Sequence, residues 1–101
     1  MRDLHTSINI VQNIVSKSWT SEILFSINHR HHRYTEILNC IPYISSTELR
    51  RKLKLLLQYG LILKDEQGEY HLTLLGQDMM DIMIKASRLA ERMEKAKKRQ
   101  R

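Results

Sequence analysis

Four polar residues recur along one stretch of this 101-residue chain at a spacing that suits reading a base-pair edge. On a helical wheel at about 100° per residue, with Leu49 as origin, Leu53 and Leu56 fall beside Leu49. Thr47, Arg51, Lys54 and Gln58 fall within about 40° of the opposite direction. Ser46 lies in the same first turn and Arg50 on the flank. Arginine can pair with both major-groove acceptors of guanine, glutamine can pair with adenine, and lysine can contact phosphate. An ordinary solvated helix face has the same composition, so the surrounding elements must decide between the two.

A second group is the run His29, Arg30, His31, His32, Arg33. Arg30 and Arg33 are candidates for phosphate contact; a solvated basic turn is the plainer reading. A metal site is disfavoured, because adjacent histidines point apart and Cys40 is a lone partner. Cys40 itself reads as a small buried apolar residue. Glycine-rich phosphate loops and nucleophile-elbow motifs are absent, and nothing places Ser, His and Asp as a triad. The expectation is therefore a binding protein, not an enzyme, with no cofactor and no metal.

The elements that would position these residues can be read in order. Leu4, Ile8, Val11, Ile14 and Val15 form a helical stripe from Asp3 to Lys17. A second helix starts near Trp19-Thr20 and turns Ile23, Leu24 and Ile27 inward. Thr35 is the candidate cap of a short third helix, which Ile41-Pro42 ends. The fourth helix, residues 45–59, announces both ends. Ser45 to Glu48 is a capping box, and Gly60 suits the left-handed residue after a helix. Leu61–Lys64 and Glu69–Leu72 flank Asp65-Glu66-Gln67-Gly68 and read as a β-hairpin. Its tip is acidic, and Lys64 is the one basic residue beside it, a weak candidate for DNA contact. Thr73 then caps a long helix whose residues Leu75, Met79, Ile82, Ala86, Leu89, Met93 and Ala96 repeat at 4-3 spacing.

That order gives a mainly α fold with a small β-hairpin: a winged helix-turn-helix with a long C-terminal coiled-coil helix. The expected division is 1–73 for the winged domain with its N-terminal helix, and 74–101 for a dimerisation helix with a basic tail. Beyond Ala86 the last helix runs about 20 Å past the core, which would expose Leu89 and Met93 in a monomer. A homodimer is the simplest remedy, with Leu4 and Ile8 of the first helix adding to the interface.

Charge supports a polyanionic partner, but not uniformly. The net charge is +6. Residues 1–84 hold nine basic and nine acidic side chains, whereas residues 85–101 hold eight basic residues against Glu91 and Glu94. The body is neutral and the tail holds the whole excess. The lone cysteine and the lack of an apolar leader or membrane-length run predict a cytoplasmic protein without a membrane partner.

The segment from Trp19 to Gly76 resembles the winged-helix regulators of the HxlR type, within the MarR-like group. Trp19-Thr20-Ser21-Glu22-Ile23-Leu24 matches the family's opening, and Arg33-Tyr34-Thr35-Glu36-Ile37 its next motif. Ile44, Ser45, Leu49, Leu53, Leu56, Gly60 and Leu61 match the recognition helix, and Tyr70, Leu72, Thr73 and Gly76 the stretch after the wing. The resemblance implies double-stranded DNA as partner, bound by a dimer, and assigns no small-molecule effector. The family usually carries a cysteine upstream of the tryptophan. Thr6 lies in that region here, so redox sensing does not carry over. The wing is also shorter and more acidic than the family's. The long heptad helix resembles that of small archaeal winged-helix DNA-binding proteins, which dimerise through an antiparallel coiled coil. Two rival functions remain: an architectural, chromatin-like binder of low sequence preference, and a winged-helix protein-interaction module.

Overall fold

In the computed structural model, which describes residues 3–99, four of the five helices start where a side chain satisfies a backbone amide. Helix α1 (Leu4–Val15) is capped by Asp3, whose carboxylate accepts from the Thr6 amide at 2.8 Å. Hydrogen bonding from Thr6, its amide first, holds the Asp3 carboxyl below its ordinary pKa. Helix α2 (Thr20–Asn28) follows Trp19, which sits in the left-handed region at φ 71°. It buries Ile23, Leu24 and Ile27, the three residues its spacing predicts.

Helix α3 (Tyr34–Cys40) starts earlier than a Thr35 cap would allow. The reason is Glu36. Its Oε1 accepts from the amides of Arg33 (3.0 Å) and His32 (3.2 Å), so the cap position moves to Arg33. The same bonds lower the Glu36 pKa, with the Arg33 amide as the main cause. Cys40 is exposed rather than buried. In this seven-residue helix the core-facing position is Ile37, and Ile41 takes the next inward position as the chain leaves the helix.

Helix α4 (Ser46–Gln58) has the predicted ends. Ser45 Oγ accepts from the Glu48 amide at 3.1 Å, and Gly60 takes φ 74°. Strands β1 (Ile62–Lys64) and β2 (Tyr70–Leu72) pair antiparallel, with Ile62 opposite Leu72 and Lys64 opposite Tyr70. Helix α5 (Leu74–Arg99) is capped by Thr73, whose Oγ1 accepts from the Gly76 amide at 3.1 Å and donates to the Gly60 carbonyl at 2.6 Å.

The core gathers one face of each of α2 to α5 and the start of the hairpin. Leu49, Leu53 and Leu56 meet Ile23, Leu24, Ile27 and Ile37, with Leu61, Ile62 and Tyr70 closing one side. From α5 it takes Met79, Met80 and Met83. This separates two apolar faces that the 4-3 repeat merged. Met79 belongs to the core of its own chain at 6% exposure and is withdrawn from the dimerisation set. Leu75, Ile82, Leu89 and Met93 lie on a second face, turned by about 110° from the first, and stay exposed together with Ala86. Helix α1 has no fully buried residue. Val11, Ile14 and Val15 rest against the core, while Leu4 and Ile8 remain open.

Candidate nucleic-acid interface

The geometry of α4 follows from its two ends and its leucines. With Leu49, Leu53 and Leu56 fixed in the core, Thr47, Arg51, Lys54 and Gln58 must point away from it, and all four are exposed. Ser46 and Arg50 are exposed beside them. The guanidinium of Arg50 lies over the Tyr34 ring, 5.5 Å from its centre, and Tyr34 Oη donates to the Ser46 carbonyl at 3.1 Å. Helix α3 therefore grips the first turn of α4 through one tyrosine.

The helix has a single carboxylate, Glu48, which stands one turn before Arg51 and lines the same shallow groove as Arg51, Lys54 and Gln58. Glu48 Oε2 accepts from Trp19 Nε1 at 2.8 Å, and Ser45 Oγ donates to Oε1 at 3.4 Å. These bonds lock α4 to the start of α2 and hold the Glu48 carboxylate on that side of the groove. Among the described residues, neither Arg51 nor Lys54 is in an ion pair.

The remaining candidates gather elsewhere. The turn from α2 to α3 runs against the wing: the Tyr70 amide donates to the His32 carbonyl at 2.7 Å, and His32 Nδ1 donates to the Tyr70 carbonyl at 2.8 Å. Arg33 is exposed and stands 3.9 Å from Glu69. Lys64 lies 5.5 Å from the centre of the Tyr70 ring. Arg30 is exposed at φ 71°, in the turn itself. Arg33 and Lys64 thus touch the wing, apart from the stripe of α4.

At the acidic wing tip, Asp65 is engaged in the turn itself. Asp65 Oδ1 accepts from the Gln67 and Glu69 amides, both at 2.9 Å, and His71 Nε2 donates to Oδ2 at 2.8 Å. These bonds, the Glu69 amide first, hold the Asp65 carboxyl below its ordinary pKa. Its oxygens close the turn while it keeps its charge. Asp65, Glu69 and His71 offer ligand atoms within 4.8 Å of one another, but both Asp65 oxygens are already committed to this turn. The histidine run at 29–32 forms no comparable group among the described residues. His29 instead donates to the Phe25 carbonyl and stacks on that ring.

Two aromatic residues beside α4 escaped the sequence pattern. Tyr34 acts through a contact across helices that no local spacing encodes. Tyr43 stands 98% exposed at φ 69° in the turn just before α4. An aromatic placed directly after the Pro42 helix stop was the available signal.

No curated protein matches the chain. A solved structure described as a MarR-family transcriptional regulator of Enterococcus faecalis V583 is similar at a TM-score of 0.89 and 22% identity, over 98% of this chain and 96% of that one. The quinone-bound YodB of B. subtilis is similar at 0.78 and 23% identity, over 85% and 96%. A MarR-family regulator of Porphyromonas gingivalis W83 is similar at 0.69 and 29% identity, over 90% and 95%. These likenesses establish a winged helix-turn-helix with a long last helix. The sequence model of the HxlR-like helix-turn-helix family matches residues 14–98, and that family comprises transcription regulators rather than enzymes. The chain belongs to the HxlR-like helix-turn-helix family of DNA-binding regulators.

Proposed function

We propose that the chain is a homodimeric transcription regulator that reads duplex DNA in the major groove with α4. The observation that carries this reading is the outward stripe of Thr47, Arg51, Lys54 and Gln58, whose one neighbouring acid on α4, Glu48, is held to Trp19. In this reading Arg51 and Gln58 meet base edges, while Ser46, Thr47, Arg50 and Lys54 set the helix against the backbone. Arg30, Arg33 and Lys64 are secondary candidates for flanking phosphates.

The dimer is supported by apolar surface that the single chain leaves uncovered. Leu4, Ile8, Leu75, Ile82, Leu89 and Met93 are all more than 45% exposed. Ile8, Val11 and Val15 of α1 form, with Ile82 of α5, an apolar groove of about 430 Å³. A second copy of the same face would cover both helices, and a two-fold interface of this kind is self-complementary. Two α4 helices would then enter major grooves about one helical turn, or a multiple of it, apart.

Selection of bound duplexes from a random pool tests both parts. The wild-type chain is expected to enrich a repeated half-site at one fixed spacing. A Leu89→Asp, Met93→Asp variant is expected to sediment as a monomer and to enrich a single half-site at most. A variant that stays dimeric would place the interface on α1, and a pool without enrichment would contradict the regulator reading.

A further inference from the structure

The distal half of α5 has a third face that neither the core nor the proposed dimer uses. Lys85, Arg88, Arg92, Lys95 and Arg99 follow one another at 3-4-3-4 spacing, and all are exposed. They fall within about 80° of arc, and the centre of that arc lies about 100° from the apolar seam. Their side chains meet in succession along the surface. Lys85, Arg88 and Arg92 line one shallow groove, and Arg92, Lys95 and Arg99 line the next. The stripe begins just after Met83, the last buried residue of the helix, and rises about 21 Å along its axis. Among the described residues none of the five is in an ion pair. Glu91 lines the edge of the first groove, outside the stripe, and the exposed Asp81 continues the line of the stripe one turn before Lys85.

We propose that this stripe is a second duplex-binding surface, sequence-independent and separate from α4, that takes the phosphate backbone of nucleic acid. It explains why the body of the chain is neutral while the tail holds the whole excess charge. A duplex carries about one negative charge per 1.7 Å of axis, so a straight row of cations about 21 Å long faces many phosphates at once. A membrane surface is the poorer match. The neighbouring seam offers only Leu89 and Met93 as large apolar side chains beyond residue 85, with no aromatic residue to anchor it. The proposal shares with the reading of α4 only that the partner is a duplex.

The test uses the full chain and a duplex of scrambled sequence, with affinity followed from about 50 to 200 mM salt. An Arg88→Gln, Arg92→Gln, Lys95→Gln variant keeps good helix formers at exposed positions, which circular dichroism verifies. The slope of log affinity against log salt is expected to fall in magnitude by roughly 2.7, about 0.9 for each lost phosphate contact. Lys97→Gln with Lys98→Gln, off the stripe, is expected to leave the slope in place. An unchanged slope in the triple variant would overturn the proposal, with or without a loss of binding to phosphatidylserine vesicles. So would an equal fall per charge in the off-stripe variant, or a wild-type chain that ignores the scrambled duplex. The reading of α4 is judged separately, on preference for the enriched site over the scrambled duplex. The triple variant is expected to retain that preference; its loss there would refute the separateness of the two surfaces.

Discussion

Replacing Arg51 and Lys54 together by alanine is expected to weaken binding to the enriched duplex by at least about 100-fold. One bidentate arginine–guanine pair discriminates by about 1–3 kcal/mol, and a tenfold change in affinity is about 1.4 kcal/mol. Losing it in both half-sites of the proposed dimer, together with the lysine–phosphate contacts, therefore amounts to about two decades or more. The fold should not register the change. Both side chains are exposed on α4, and alanine is the strongest helix former. A band-shift titration beside a thermal melt checks both halves. Binding that survives in a stably folded variant would remove α4 from the interface. Arg51→Lys is a finer probe: it keeps the charge but loses the planar fork, so affinity for scrambled duplex should persist while preference falls.

The second large effect lies at the junction of wing and last helix. A methyl group added at Gly76 would come 2.0 Å from the Leu61 carbonyl oxygen and 3.1 Å from its carbon. Both are backbone atoms, and the same oxygen accepts from the Thr73 amide at 3.1 Å. No side chain can swing aside to relieve the clash. The start of α5 must lift away from Leu61, which loosens Met79 and Met80 in the core. Gly76→Ala should therefore destabilise the chain by about 3 kcal/mol, the upper end of ordinary overpacking. For a domain of this size the melting temperature would fall by more than about 10 °C. The sign is informative, because glycine to alanine inside an unobstructed helix stabilises by about 1 kcal/mol. A melting temperature that rises would mean that α5 does not approach Leu61 this closely.

These two sites differ in how far the sequence discloses them. The stripe of α4 is legible because everything that orients it is local: Ser45 and Glu48 at one end, Gly60 at the other, and leucines at helical spacing between. The hairpin and the Thr73 cap are local in the same sense. Contacts between elements are not. Glu36 captures two upstream amides and moves the start of α3, and Tyr34 ties α3 to the Ser46 carbonyl. The long helix shows a subtler failure. A 4-3 repeat through Met79 marks one seam, yet the core takes Met79, Met80 and Met83, and only the fold shows that two apolar faces share one helix. At the wing, charge counting registers Asp65 only as an acid, and misses that its oxygens close the turn on the Gln67 and Glu69 amides and His71.

The central claim is that α4 reads base edges from the major groove. N7 of guanine lies in that groove and is the acceptor an arginine engages. Methylation interference on the enriched duplex tests the claim most directly. The account predicts that N7-methylguanine within each half-site blocks binding of the wild-type chain, and that Arg51→Ala erases that interference at one guanine per half-site. Binding indifferent to N7 methylation, or interference unchanged by Arg51→Ala, would contradict it.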